Sequence, residues 1–169
     1  MLNIFFSDIK TKQELYISDG AKCSFIKALL SDGTCAILIY RLMQWCKKHH
    51  LTPIAYFLQY INKVINSCVI GIGAEFDKGL VFAHPVGVII NSKVRGGKGI
   101  IIESGVVIGD EKGKSPVLGD NIFIGSGAKI IGEIILGSNI KIGANAVVIK
   151  SCDDNQTLIG IPAKPLIKK

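Results

Sequence analysis

Apolar residues recur every six positions through the second half of the chain. Steps of six from Ile70 reach Phe76, Phe82, Val88, Val94, Ile100 and Val106. Beyond Lys112 they continue through Leu118, Ile124, Ile130, Leu136, Ile142 and Val148. Thirteen of these fourteen positions are apolar in a chain that is 49% hydrophobic overall, which composition alone does not produce. A helix repeats at about 3.6 residues and a half-buried strand at about 2, so neither explains the spacing. A six-residue period belongs to a parallel β-helix, in which each hexad forms one side of a three-sided coil. The phased side chain points into the shaft and stacks on the coil below.

The register lapses once, at Gly109-Asp110-Glu111-Lys112-Gly113-Lys114-Ser115. This polar stretch reads as a loop that leaves the coil before the pattern resumes at Pro116. In a repeat scaffold such a loop lies on the functional face. Upstream the pattern turns helical. Residues 1 to about 20 show no clear period and suggest a short helix followed by a loop, and about Cys23 to Leu30 a short amphipathic stretch ended by Ser31-Asp32-Gly33. Ala36, Ile37, Tyr40, Leu42 and Met43 then make a helical stripe, closed by Lys47, Lys48 and His49, where the helix dipole favours cations. Pro53 opens a further helix whose stripe is Ile54, Phe57, Leu58, Ile61 and Val64-Ile65. One apolar face needs burial, so packing against the end of the β-helix is expected of it. The tail from Ser151 carries Pro162 and Pro165, which exclude a helix and predict an extended or turning cap. The expected organisation is a helical region at 1–67, a parallel β-helix at 68–150 and a C-terminal tail at 151–169.

Composition narrows the function classes. The net charge is +7 and the pI about 9.2, but the basic residues are scattered, apart from Lys47-Lys48 and Lys168-Lys169. No run interleaves them with aromatics, so no nucleic-acid partner is expected. A positive surface suits an anionic cosubstrate. The five cysteines show no CxxC spacing, so neither zinc nor a disulfide framework is expected. No signal peptide and no long apolar span is evident, which reads as cytoplasmic. Reactive candidates are few. His84, two residues past the shaft residue Phe82, should project from a coil, whereas His49 and His50 sit in a charged helix end. On its own, His84 reads more readily as a solvent-exposed imidazole without a role than as a catalytic group.

Four segments shift that balance: Gly79-Leu80-Val81-Phe82-Ala83-His84-Pro85-Val86-Gly87-Val88-Ile89-Ile90, Ile124 to Gly132, Ile142 to Val148, and Gly160-Ile161-Pro162-Ala163-Lys164. On these the chain, from about 68 to 166, resembles the hexapeptide-repeat acyltransferases and their serine acetyltransferase-like branch. The resemblance implies a mainly β protein built on a left-handed parallel β-helix, and an acetyl-CoA-dependent O-acetyltransferase. His84 falls on the family's catalytic histidine, the general base that takes the acceptor hydroxyl proton. The resemblance further implies a homotrimer, with the pantetheine arm of acetyl-CoA between subunits along Gly109, Ser126 and Ala144. Lys129, Lys141, Lys150 and Lys164 are the candidates for the CoA phosphates. It implies no metal.

The departures bear on the acceptor. Serine acetyltransferases carry an aspartate just before the histidine, a second one fifteen residues before it and a second histidine after the long loop. Here those positions are Ala83, Val69 and Ser115. Glu103, Glu111 or a backbone carbonyl could orient His84 instead. The loop and the helical part are also shorter, as in the O-acetyltransferases of capsule and exopolysaccharide synthesis. A sugar hydroxyl of a surface polysaccharide or its precursor is therefore the expected acceptor, ahead of serine. With a lipid-linked sugar, the Ile54–Ile65 stripe would suit a peripheral contact at the inner face of the membrane. A β-helix serving only as an assembly module is the non-enzymatic alternative. A carbonic-anhydrase-like site would need more histidines than the coils contain.

Overall fold

The computed structural model describes residues 1–166; the basic tail Lys168-Lys169 lies outside them. Four helices come first: α1 (Leu2–Ser18), α2 (Phe25–Leu29), α3 (Thr34–Lys48) and α4 (Thr52–Asn66). Short strands then wind into a left-handed parallel β-helix with three faces. One face stacks β1 (Val69–Ile70), β4 (Ile89–Ile90), β7 (Val107–Gly109), β10 (Lys129–Ile131) and β13 (Val147–Val148). The second stacks β2 (Glu75–Phe76), β5 (Arg95–Gly96), β8 (Val117–Leu118) and β11 (Ile135–Leu136). The third stacks β3 (Val81–Phe82), β6 (Ile101–Ile102), β9 (Phe123–Ile124), β12 (Lys141–Ile142) and β14 (Thr157–Ile159). β15 (Lys164–Pro165) closes that face antiparallel to β14, the turning cap that the two prolines required.

The shaft is fully apolar. Ile102, Ile108, Ile124, Ile130 and Ile142 are without solvent exposure, as are Val88, Val94, Ile100 and Val106. Burying each such side chain stabilises the coil by about 1.5–3 kcal/mol. One shaft position is a glycine. A Cβ on Gly96 would stand 2.3 Å from Cδ1 of Phe76, so the ring fills the space a side chain would take.

The ladder corrects the six-residue count. Phe82 pairs with Ile102, and Ile90, not Val88, pairs with Ile108. From Phe82 to Ile90 is therefore eight steps, and from Ile108 to Leu118 ten. The two extra residues and the four extra residues add up to one hexad, so the count recovers its phase after Lys112. Between the two insertions it had moved from the strand positions to the corner positions two residues earlier. Both sets are buried and apolar, which conceals the slip.

The second insertion is the predicted loop. Glu111 and Lys114 bridge it, with Lys112 at φ 51° and Gly113 at φ 81°, the left-handed pair of a tight hairpin turn. The helices pack on the first coils. The α3 stripe is buried as expected, at Ala36, Ile37, Tyr40 and Met43. α1 runs for 17 residues rather than as a short helix. Its weak apolar period has a reason: its buried face includes Asp8 and Lys12. Arg41 on α3 grips Asp8 through Nε (2.8 Å) and Nη2 (3.0 Å), and also donates to the carbonyls of Phe76 and Asp77. Asp8 in turn accepts from the amides of Gly79 and Leu80, so this buried pair ties two helices to the first coil.

α4 departs from expectation. Its inward residues are Ala55, Leu58, Gln59 and Asn62, and Gln59 donates to the carbonyl of Ile70. The apolar residues Ile54, Phe57, Val64 and Ile65 are exposed instead of packing on the coil. Among the described residues no helix is long and apolar enough to cross a membrane.

Candidate active site

His84 sits on the first insertion. Six residues join β3 to β4, whereas four join β6 to β7, β9 to β10 and β12 to β13. Ala83 donates to Ile102 as its ladder requires, and the carbonyl of Val86 accepts from Gly105. That leaves His84 and Pro85 as the pair without counterparts in the next coil. Their corner bulges outward, and the His84 side chain is 62% exposed.

The bulge carries the ring to a carboxylate. His84 Nδ1 lies 3.0 Å from Asp32 Oδ2, on the loop between α2 and α3. Glu103 and Glu111, the candidates from the sequence, do not fill this place. Glu103 lines a groove beside Ser18, Asp19, Phe123 and Lys141, and the Glu111 backbone is committed to the hairpin. Asp32 itself is held firmly. Its Oδ1 accepts from the amide of Gly33 at 2.9 Å, and its carbonyl accepts from the buried ammonium of Lys12. Lys12 Nζ also donates to Thr34 Oγ1 at 3.1 Å. Burial lowers the Lys12 amine to about 8 against the opposing pull of Asp32. Sequence reasoning passed over Asp32 because Ser31-Asp32-Gly33 has the composition of any turn. The one available signal was a loop aspartate followed by glycine in a chain whose coil lacks the expected carboxylate.

The residues expected to meet the cosubstrate fall into separate places. Ser126 and Ala144 occupy the same corner as His84 in higher coils, where Gly127 donates to Ser104 and Asn145 to Ser126. Gly109 ends β7, at the other end of that face. Lys129 points outward from β10, its Nζ turned back to the Gly127 carbonyl at 3.1 Å. Lys141 lies on the third face, in the groove with Glu103. Lys150 and Lys164 share a cavity of about 270 Å³ at the C-terminal end, with Cys152 and Gln156. Among the described residues, the Gln156 Oε1 atom is buried there without a hydrogen-bond partner. Of the three missing groups, Ala83 is buried and Ser115 Oγ donates to Asn91 Oδ1. Val69 sits half-buried on β1, with its neighbour Ile70 in the shaft.

Known proteins resemble this chain in sequence and in fold. No protein-family model matches the chain. Over 172 residues it is 34% identical to the serine acetyltransferase of Helicobacter pylori strain 26695, the match covering 99% of each chain. The crystal structure of Neisseria gonorrhoeae serine acetyltransferase in complex with serine superposes with a TM-score of 0.89. It is 31% identical and covers 98% of this chain and 68% of that one. The serine acetyltransferase of Brucella abortus in complex with coenzyme A gives a TM-score of 0.88. Its identity is 30%, with 97% of this chain and 66% of that one covered.

Proposed function

The chain belongs to the serine acetyltransferase family and is an acyltransferase, and on that premise we propose that it moves an acetyl group from acetyl-CoA to the hydroxyl of serine. The observation that carries this reading is His84, lifted out of the coil by its two-residue insertion with Nδ1 engaged and Nε2 turned away from Asp32. Nε2 removes the hydroxyl proton as the oxygen attacks the thioester carbonyl. A C–O bond forms, the tetrahedral intermediate collapses with cleavage of the C–S bond, and the proton passes from the imidazolium to the departing thiolate. A backbone N–H stabilises the oxyanion. Transfer is direct and needs no cysteine.

A homotrimer is part of the proposal, because the exposed His84 of one chain lacks a wall opposite it. Ser126 and Ala144, above His84 on one corner, suit the passage of a thin amide-bearing arm. Lys150 and Lys164 suit an anionic end. The relatives support acetyl-CoA as cosubstrate, since one is a complex with coenzyme A.

The sugar acceptor expected from the sequence gives way to serine. Beside the absences at Val69, Ala83 and Ser115, its support was the short loop and helical part, yet the Helicobacter pylori serine acetyltransferase matches this chain over 99% of its own length. A short chain is therefore no mark of a polysaccharide enzyme. Asp32 also supplies beside His84 a carboxylate of the kind that Val69 does not. A neutral hydroxyl acceptor stays the second reading, favoured by the buried methyl of Ala83 next to the base. Release of free CoA from acetyl-CoA decides between them. Serine should raise the rate well above that with sugars or nucleotide sugars, and His84→Ala should abolish it without altering assembly. A panel in which no hydroxyl acceptor raises thiol release would overturn the reading.

A further inference from the structure

We propose that Asp32 is the positioning residue for His84, so that the helical layer, not the β-helix, orients the base; this rests on the reading of His84 as that base. The contact joins residues 52 positions apart, at 3.0 Å between Asp32 Oδ2 and His84 Nδ1. An accepting carboxylate at Nδ1 keeps the proton on that nitrogen and leaves the Nε2 lone pair free for a hydroxyl.

The support behind Asp32 argues for a built arrangement. Three contacts fix the carboxylate and its backbone. Oδ1 is tied to the Gly33 amide, the carbonyl to Lys12, and Gly33 lies against the carbonyl of Phe82, two residues before His84. Lys12 is completely buried and reaches the loop from α1, while Thr34, its other partner, donates to the carbonyl of Ala28 at 3.0 Å. The Asp32 and His84 side chains are 57% and 62% exposed. A pair so exposed to water contributes little to stability. The ion pair itself therefore does little to hold the fold, whereas the contacts behind it fix where the carboxylate stands. Within the coil, the position fifteen residues before His84 is Val69, Glu103 lines the groove with Lys141, and the Glu111 carboxylate lies beside Gly132.

The test compares Asp32→Asn, Asp32→Glu and His84→Ala in the full chain, together with the ring tautomer of His84 read by nitrogen-15 NMR. In the wild type at a pH well above the ordinary histidine range, His84 should carry its proton on Nδ1. Finding it on Nε2 overturns the proposal whether or not any variant folds. Asp32→Asn should shift the tautomer and lower kcat about 10- to 100-fold. That is less than the roughly 10⁴-fold seen for a buried triad carboxylate, because this pair is open to water. The KM for acetyl-CoA should not change, and Asp32→Glu should restore part of kcat. Full kcat in Asp32→Asn while His84→Ala is dead removes Asp32 and leaves the base in place. Turnover surviving His84→Ala removes the base itself.

Discussion

A Cβ placed on Gly33 would stand 2.1 Å from the carbonyl oxygen of Phe82. The loop carrying Asp32 thus lies directly against the strand that ends two residues before His84. Gly33 also has φ at +79°, where a side chain is strained. Gly33→Ala should therefore destabilise the protein by about 2 kcal/mol or more. The loop must lift from the coil, so kcat should fall together with stability. Urea unfolding and CoA release measured on the same preparations check both, and an unchanged kcat would show that Asp32 does not depend on this contact.

Removing one partner of the Asp8–Arg41 pair leaves a charge stranded in the interior. Asp8 accepts four donors, two from Arg41 and two from the amides of Gly79 and Leu80. Burial pushes its carboxyl upward, and Arg41 with the two amides pulls against it. Asp8→Ala should cost about 3–5 kcal/mol, read from the denaturant midpoint. A cost below 1 kcal/mol would mean that α1 is not anchored here.

Lys12 makes stability depend on pH in the alkaline range. Its amine is lowered from 10.5 to about 8 in the folded chain, so between those values the unfolded state binds more protons. Stability then rises with pH across that window, by about 3 kcal/mol from this group alone. Below about pH 8 the lysine is charged in both states and its contribution is constant. The difference in unfolding free energy between wild type and Lys12→Met should therefore grow in favour of the wild type as pH rises from 8 to 10.5. A flat difference would place the Lys12 amine in water.

Of the cysteines, Cys35 is exposed while Cys23, Cys46 and Cys68 are buried, and burial raises the Cys68 thiol to about 12. Cys35 should react first with a thiol reagent, and Cys68 only on unfolding. Cys35→Ser should leave turnover unchanged, because direct transfer passes through no acyl-cysteine. Loss of turnover in that variant would argue for a covalent step.

On the acceptor, reading by absence pointed to a sugar, whereas the relatives favour serine. Val69, Ala83 and Ser115 suggested a site without charge, because each was judged against the coil alone. The histidine's carboxylate comes from outside the coil, where a pattern of hexads cannot look. The α4 stripe shows a related limit. Its period identified the helix, but the helix turns Gln59 and Asn62 inward and leaves Phe57 and Val64 exposed. Periodicity reports that two faces differ, not which one meets the neighbour.

The amino-acid sequence by itself determined the coil, its apolar shaft, the loop around Lys112 and the outward projection of His84. Each follows from local repetition, since every hexad stacks on one like it about eighteen residues earlier. Tertiary structure alone decided the two insertions that together mimic a hexad, because only the ladder shows which residues pair. It alone decided the meeting of Asp32 with His84. That contact closes across 52 residues through a buried lysine, a glycine against a carbonyl and an ion pair. None of those has a period.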